Sequence, residues 1–495
     1  MSFNSIEFLI FLPIVLLGYW LLPHRYRKYW LLVASYIFYM SWNAWLIFLI
    51  VGTTLVSYMA GRMIDMTESV KVKNWLVAIT LFVCLGALAI FKYLDFFTQS
   101  AFSLLGWFGL KVEVPLFNLI LPMGISFYTF QTLSYVLDVY RKKCDVEKNF
   151  IYYALYVTYF PQLVAGPIER SDNLLHQFKE EKKPCAEDFT EGIRFMLYGF
   201  FKKICIADVV GMYVNSAFGN VSAGNGLTFW IAGILFAVQI YCDFSGYSDI
   251  ATGCARMMGI RLMKNFDRPF MATSGRDFMR RWHISLSSWF MEYLYFPLGG
   301  GRKGRFRKYL NTLIIYTLSG LWHGAAWTFV AWGALVGVYM TLEDLLRPLY
   351  HKICDKLRID NNGETVKLIR RCIMLLLISL PSIFFRAQTM SDAIQIFGKM
   401  FTDFGFTMEY FTSVFSSLSI DVYAFVQLIA SLIILAKGYE MCYPTEKSLF
   451  SPLATGKTAE AMRMKTYLYY ILIIAVIWIM AASGNMSSQF IYFQF

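Results

Sequence analysis

The sequence predicts an all-α integral membrane protein that crosses the bilayer about eleven to thirteen times. Of its 495 residues, 57% are hydrophobic and only 16% are charged, and the mean hydropathy is +0.50. A soluble domain has roughly 45–50% apolar and about 25% charged residues. Apolar runs recur from residue 6 to residue 482 without a polar block long enough for a separate folded unit. We therefore predict one membrane domain over residues 1–495, with a motif-rich core at about 117–343 and a tail at 484–495.

The first apolar run is predicted to be a retained transmembrane helix. It follows Met1–Glu7, which contains no Lys or Arg, and it ends at Leu22-Pro23 without the small-residue pattern of a signal-peptide cleavage site. A helix needs about 20 residues to cross a bilayer, and some of the later runs are shorter, so the predicted number of spans is a range. These runs lie near residues 29–42, 43–60, 75–92, 117–138, 150–166, 193–218, 228–248, 309–323, 325–343, 369–386, 422–438 and 467–483.

Basic loops predict the orientation, because short loops rich in Lys and Arg stay on the cytoplasmic side. The basic run at 24–28 follows the first span and places the N-terminus outside. The segment 347–371 is also predicted to be cytoplasmic. Residues 401–436 and those after Lys465 contain no Lys or Arg, whereas 437–465 contain several, so the C-terminus is predicted to be outside too. Segment 167–300 mixes basic and aromatic residues as interfacial or re-entrant helices do, and we assign no side to it.

The net charge of +12 does not indicate nucleic acid binding. It comes from 45 Lys and Arg against 33 Asp and Glu, and in a membrane protein such an excess collects in cytoplasmic loops that meet anionic lipid headgroups. The nine cysteines form no CxxC pair. The sequence therefore predicts neither a zinc site nor a disulfide framework, and we expect no bound metal.

Two of the five histidines are candidates for chemistry, since an ionisable residue at membrane depth is costly. His323 lies between two apolar spans in the small-residue segment 319–327, and His283 lies in the aromatic and basic segment 280–289. A neutral imidazole can take a proton from a hydroxyl that attacks an acyl carbonyl. His323 fits this role better than any Ser or Cys, because the chain has no GxSxG motif. The alternatives are a histidine bonded to a neighbouring helix for His323 and an interfacial anchor for His283.

A second cluster of polar residues lies in or directly after one apolar run, at Gln239, Asp243, Ser245 and Asp249. The two carboxylates are six residues apart and fall on different faces of a helix, so we do not expect an acid–base pair. We expect hydrogen bonds between helices, or ion pairs with one of the nearby arginines. Those arginines are Arg268, Arg276, Arg280 and Arg281.

Five motifs in order along the chain together resemble the membrane-bound O-acyltransferase family, most closely its bacterial alginate and peptidoglycan O-acetyltransferase branch. They are PMGISFYTFQ at 122–131, FPQLVAGPI at 160–168, DFSGYSD at 243–249, RWHISL at 281–286 and LWHG at 321–324. The resemblance implies a many-helix fold around a central funnel, His323 as the catalytic histidine and His283 as a second functional position. Lining of a substrate tunnel or structural support is expected from Trp322, Gln239, Asp243, Ser245, Asp249 and Arg281.

By the same resemblance, we expect transfer of an acetyl group from a cytoplasmic thioester, acetyl-CoA, to an extracytoplasmic polysaccharide. No bound cofactor is expected. The implied setting is a bacterial cytoplasmic (inner) membrane, and the implied partner is an extracytoplasmic acyltransferase or polysaccharide-modifying protein. The terminal FIYFQF run resembles an aromatic tail proposed to carry acyl groups, which makes Tyr492 a candidate relay. The alternative is an aromatic anchor at the interface.

Three other functions stay open at this point. The family resemblance extends more distantly to the protein that transfers D-alanine to teichoic acid. A transporter or flippase could use His323 and Asp243 as a proton relay, because intramembrane His and Asp are typical of transporters as well. A scaffold for secretion partners is the third alternative. The paired halves with interrupted helices that favour transport are not evident in the sequence.

Overall fold

The computed structural model describes residues 1–109, 114–420, 422–442, 467–478 and 490–491, and these ranges contain helices but no strands. The prediction of an all-α fold is confirmed. The first ten helices are α1 (Ile6–Leu21), α2 (His24–Met40), α3 (Ile47–Met66), α4 (Val70–Leu88), α5 (Leu94–Trp107), α6 (Ile125–Tyr140), α7 (Phe150–Thr158), α8 (Phe160–Leu163), α9 (Ser171–Lys179) and α10 (Ala186–Phe201). The others are α11 (Asp208–Gly219), α12 (Gly226–Met257), α13 (Gly275–Arg281), α14 (Ile284–Phe290), α15 (Arg305–His323), α16 (Trp327–Lys356), α17 (Glu364–Arg386), α18 (Met390–Thr402), α19 (Met408–Leu418), α20 (Val422–Cys442) and α21 (Tyr467–Trp478).

Among the described residues, five helical segments are long and apolar enough to cross a membrane. They are Ala44–Met66, Val70–Trp107, Gly226–Met257, Trp327–Lys356 and Glu364–Arg386. Their surfaces fit this assignment, because large apolar side chains such as Phe82 and Trp75 are more than two-thirds exposed. The expected total of eleven to thirteen spans stays a prediction.

Two of the expected spans are not continuous helices over their predicted length. In the run near 117–138 the helix begins only at Ile125, because Gly124 has a left-handed backbone with φ of +71°. The run near 150–166 is divided between α7 and the four-residue α8. Pro161 stands in the first turn of α8, where its missing N–H breaks no helical hydrogen bond. Both regions are therefore short buried helices.

The chain divides into two compact units, residues 1–193 with 251–263 and residues 194–250 with 264–495. Within the first unit, two of the five motifs meet. A side chain at Gly124 would lie 2.4 Å from the carbonyl oxygen of Leu163. The side-chain amides of Gln131 and Gln162 both donate to the carbonyl oxygen of Tyr156, at 2.6 and 2.9 Å. These motifs therefore fix the packing of α6 against α7 and α8.

In the second unit, α15 and α16 pack backbone to backbone through glycines. A Cβ atom on Gly320 would lie 2.2 Å from the carbonyl oxygen of Phe329, and one on Gly333 would lie 2.3 Å from that of Tyr316. Small residues allow membrane helices to approach this closely. Since α15 ends at His323, this contact fixes the position of that histidine.

Candidate active site

The two predicted histidines lie in the second unit and border the same cavity. Their ring centroids are 6.3 Å apart, and the space between the walls is about 100 Å³. A water molecule needs roughly 10–15 Å³ by this measure, so the cavity has room for several waters or for a group as small as acetyl. The other walls are mostly apolar and come from α12 to α17, including Phe236, Phe278, Leu286, Tyr316, Trp332 and Phe385.

His323 is the last residue of α15 and is only 8% exposed. Its ring packs edge-on against Trp332 and Phe385, with centroid distances of 5.2 and 5.5 Å. Gly324 follows it in extended conformation, and a Cβ atom there would lie 2.2 Å from the ring of Phe329. The chain can therefore leave α15 at this point only because residue 324 is glycine.

His283 precedes α14 and has a left-handed backbone, with φ of +42°. Its Nδ1 lies 3.1 Å from the side-chain oxygen of Asn265. The same oxygen accepts hydrogen bonds from the hydroxyl and the backbone N–H of Ser285, at 3.0 and 3.4 Å. Because this oxygen can only accept, Nδ1 carries the proton, and in the neutral ring Nε2 carries the lone pair.

Burial lowers the pKa of His283 well below its usual value, and the nearby His323 acts in the same direction. His283 lies outside the five apolar spans. Near neutral pH its imidazole is therefore uncharged. An uncharged imidazole with a fixed tautomer can accept a proton, which is the chemistry a general base requires.

Trp322 supports both histidines. It is 4% exposed, and its ring centroid lies 4.9 Å from that of His323 and 6.0 Å from that of His283. The Trp322 ring therefore packs edge-on against each imidazole and limits its rotation. Phe244 of α12 adds a further edge-on contact with His283 at 4.7 Å.

The two carboxylates of α12 are each paired with a buried lysine. Asp243 accepts from Lys203 at 2.8 Å, while Lys202 bonds Asp249 and donates to the hydroxyl of Ser245 at 3.1 Å. The two carboxylates do not form a pair with each other, as expected. The expected polar contacts between helices are confirmed, whereas pairing with Arg268, Arg276, Arg280 or Arg281 is wrong. The reason is that α10 and α12 touch at Gly199 and Gly246, which brings the two lysines that follow α10 to α12.

The remaining predicted residues lie near the site without joining the histidines. Arg281 donates to Asp277 at 2.8 Å, one turn earlier in α13. The side-chain nitrogen of Gln239 faces Gly211 of α11, where a Cβ atom would lie 2.8 Å from it. Its buried side-chain oxygen has no hydrogen-bond partner among the residues that the structure describes.

The profile of the membrane-bound O-acyltransferase (MBOAT) family matches residues 145–387. The probable alginate O-acetylase AlgI of Pseudomonas putida is 35% identical over the whole of both chains. The chain belongs to the membrane-bound O-acyltransferase family. The probable alginate O-acetylase AlgI of Azotobacter vinelandii is 37% identical over 81% of this chain and 78% of its own length. The peptidoglycan O-acetyltransferase of Helicobacter pylori is 32% identical over 80% and 78%, respectively.

Membership in this family confirms two predictions. The protein is an O-acyltransferase, and it is a multi-pass membrane protein. The alternative hypothesis, a transporter that uses Asp243 in a proton relay, is not supported. That carboxylate is buried against Lys203, and it is not among the residues that line the histidine cavity in the described part of the chain.

The described part of the O-acyltransferase tail contacts the same ionic group. The backbone N–H of Ile491 donates to the second oxygen of Asp243 at 2.8 Å. The ring of Phe490 packs edge-on against Tyr247 at 5.2 Å and lies 4.7 Å from the ammonium of Lys203. Tyr492, the candidate relay, lies outside the described residues.

Sequence reasoning missed three residues of this O-acyltransferase site, namely Asn265, Lys202 and Lys203. Asn265 lies in an irregular segment 18 residues before His283 and belongs to no motif. The lysines did carry a signal, since they are adjacent within an otherwise apolar and aromatic run. Two charged residues in such a run require buried partners, and the two carboxylates at 243 and 249 match them in number.

Proposed function

We propose that the protein moves an acetyl group from a cytoplasmic thioester donor, acetyl-CoA, across a bacterial inner membrane for O-acetylation of an extracytoplasmic polysaccharide. The observation that carries this proposal is the pair of buried imidazoles at one small cavity with aromatic walls. The acceptor class is inferred from relatives whose names specify alginate and peptidoglycan. We also propose that both termini lie outside, as the distribution of Lys and Arg predicts.

In the proposed step His323 acts as the general base. It removes the proton of an acceptor hydroxyl while that oxygen attacks the thioester carbonyl. The C–O bond forms, the C–S bond breaks, and the thiolate leaves with the proton that the imidazole took up. His283 assists, with its ring centroid 6.3 Å from that of His323. Because Asn265 holds the proton on Nδ1 of His283, Nε2 is the nitrogen that can accept a proton.

The cavity walls support acyl transfer over hydrolysis. Aromatic and aliphatic side chains surround the two imidazoles, and such walls hold few ordered waters. A donor and an acceptor held side by side in that space would gain the advantage of proximity, and water would compete poorly. The cavity size favours acetyl over a long acyl chain.

Tyr492 is proposed to receive the acetyl group and carry it toward the outer face. The product would be a tyrosyl ester, from which an extracytoplasmic acyltransferase would move the group to the polysaccharide. The neighbouring residues Phe490 and Ile491 are buried against Tyr247 and Asp243. This supports a position of Phe490 and Ile491 in the body of the enzyme and not on its lipid-facing surface.

The base assignment is tested with His323→Ala. We expect O-acetyl esters to disappear from the surface glycans, as measured by mass spectrometry, while the amount of protein in the membrane is unchanged. His176→Ala is the matched control, because His176 is exposed in α9 and bonds only a backbone carbonyl among the described residues. Unchanged esterification in His323→Ala would overturn the assignment.

The relay is tested with Tyr492→Phe, which keeps the ring and removes the hydroxyl. We expect loss of transfer to the polysaccharide with normal membrane insertion. Tyr467→Phe, at an exposed position of α21, is the control. Full activity of Tyr492→Phe would eliminate the relay and leave the interfacial anchor as the role of the tail.

A further inference from the structure

The segment 264–268 carries two residues that position His283. Asn265 holds the proton on Nδ1 of the imidazole. The ring of the next residue, Phe266, is tilted by only 28° from the imidazole, and the two centroids are 6.4 Å apart. Both side chains are buried, with exposed fractions of 3% and 7%. The orientation of the imidazole therefore depends on where this segment lies.

The segment 264–268 belongs to no helix, so its position depends on contacts with the rest of the protein. Two backbone hydrogen bonds join it to the residues around His283. The N–H of Asp267 donates to the carbonyl oxygen of Arg281, and the N–H of Ile284 donates to that of Asn265, both at 2.9 Å. An irregular segment with so few backbone bonds opens locally more easily than a helix does. A side chain that holds the segment from another element would therefore also hold the imidazole.

Tyr439, in the last turn of α20, bonds both ends of this segment through one hydroxyl. The hydroxyl accepts from the ammonium of Lys264 at 2.8 Å and donates to the carboxylate of Asp267 at 2.8 Å. Lys264 and Asp267 also bond each other at 3.0 Å, so the three groups close a ring that spans the two residues between them. The guanidinium of Arg268 lies 4.5 Å from the centroid of the Tyr439 ring. One residue of α20 therefore contacts three of the five side chains of the segment.

The last part of α20 is itself fixed against α10. A Cβ atom on Gly438 would lie 2.3 Å from the ring of Tyr198. The Tyr198 hydroxyl donates to the carbonyl oxygen of Leu435 at 3.1 Å. Such a close approach leaves the backbone before Tyr439 little freedom to move. The tyrosine is therefore held by a packed helix, which allows it to fix the less regular segment beside it.

We propose that Tyr439 is a positioning residue for acyl transfer, which acts through segment 264–268 on the orientation and tautomer of His283. The inference rests on the proposed function, because it requires that His283 assists the base. Tyr439 is not among the residues that line the histidine cavity in the described part of the chain. We therefore assign it no contact with the substrates, and its hydroxyl acts only by holding Lys264 and Asp267.

The first test needs no turnover. Tyr439→Phe keeps the ring and removes the hydroxyl, and hydrogen exchange is measured by mass spectrometry on the full-length protein in nanodiscs. We expect the peptides that contain the amides of Asp267 and Ile284 to exchange about threefold faster or more, because these two bonds join the segment to the histidine. Exchange equal to that of the wild type would overturn the proposal.

The second test is a double-mutant cycle on acetyl transfer in reconstituted vesicles. Tyr439→Phe alone should lower kcat about three- to tenfold and leave KM unchanged, since one lost hydrogen bond to charged groups has at least this size. In the Asn265→Ala background the same substitution should lower kcat no further, because both changes act on one contact. An equal loss in both backgrounds would indicate a general packing role and would contradict the proposal.

Tyr469→Phe is the matched control. Its hydroxyl also bonds α20, donating to the carbonyl oxygen of Ile434 at 2.6 Å, more than one turn before Tyr439. We expect this variant to keep the wild-type exchange of the Asp267 and Ile284 amides and the wild-type kcat. If it changed both as much as Tyr439→Phe does, the effect would belong to α20 packing in general and the proposal would fail.

The two tests separate this inference from the proposed function. If the wild type transfers no acetyl group from any thioester, the proposed function fails, and faster exchange in Tyr439→Phe still supports the positioning of His283. If the wild type transfers acetyl but Tyr439→Phe has the same kcat, the positioning role fails and the proposed function stands.

Discussion

Replacing Asn265 by Ala should disable His283 without touching either imidazole. The Asn265 side-chain oxygen is the acceptor that holds the proton on Nδ1 of His283, and it also accepts from the hydroxyl and the backbone N–H of Ser285. Its amide nitrogen donates to Ser248 at 3.2 Å, which fixes the orientation of the amide. The variant therefore removes one acceptor that serves two residues.

The magnitude follows from the groups that lose a partner. His283 and Ser285 are 2% and 1% exposed, so water replaces the lost acceptor poorly. A buried donor without a partner costs about 1–3 kcal/mol, and the serine hydroxyl can rotate toward another acceptor, so we expect a loss of about 2–4 kcal/mol in unfolding free energy. General-base catalysis contributes about 10²–10⁴ in rate, and because His283 assists the base His323, a mobile His283 of mixed tautomer should lower the rate roughly 10- to 100-fold.

The assay is acetyl transfer in reconstituted vesicles, with kcat and KM measured across a range of pH, together with thermal unfolding. We expect kcat to fall and KM to change little, since Asn265 is not among the cavity-lining residues in the described part of the chain. Asn265→Asp is the informative second variant. Its carboxylate accepts the same hydrogen bonds but favours the imidazolium, so it raises the pKa of His283.

The sign of the pH effect can be worked out. The active form of His283 is the neutral ring, and burial keeps its pKa low in the wild type. A raised pKa protonates the ring at a higher pH, so the acidic limb of the kcat profile should move upward by about one pH unit or more. Wild-type kcat in Asn265→Ala, or an unmoved acidic limb in a fully active Asn265→Asp, would refute a positioning role for Asn265.

Two further variants test the packing around the site. Gly320→Ala should lower both the melting temperature and the activity, because its Cβ would lie 2.2 Å from a backbone oxygen of α16; Gly398→Ala, with nothing within 4 Å, is the control and should be neutral or stabilising by up to about 1 kcal/mol. A Gly320→Ala protein as stable and active as wild type would contradict the close helix contact. Lys203→Met should cost about 3–5 kcal/mol in unfolding free energy, because it leaves two buried carboxylates without their cation. Adding Asp243→Asn should recover part of that loss in the same thermal assay, and no recovery would argue against the ion pair.

The sequence predicted which residues form the site better than it predicted the contacts that position them. Composition and apolar runs were sufficient for an all-α membrane protein, since only regular helices or closed barrels satisfy the backbone in lipid. The cost of burying an ionisable residue, together with the family motifs, pointed to His283 and His323. Their proximity results from α14 and α15 and could not be inferred from a separation of forty residues.

The errors arose where contacts are distant in sequence. Arginines that follow closely along the chain were one expected set of partners for the carboxylates of α12, but the partners, Lys202 and Lys203, precede Asp249 and Asp243 by 47 and 40 residues. The lysines reach α12 through the glycine contact of α10, which no local pattern reveals. Asn265 was not predicted for a related reason. A side chain that orients a histidine needs only the correct position in the fold, and no sequence motif has to surround it.

The backbone of His283 also determines how mutational data on this enzyme should be interpreted. A left-handed conformation costs most residues roughly 1–2 kcal/mol, whereas asparagine and glycine adopt it more readily. In a saturation library scored by protein yield, those two substitutions should therefore rank highest at position 283, even though neither supplies a base. Asparagine is thus the fairer replacement for measuring what the ring contributes, because alanine would add a folding defect to the chemical one.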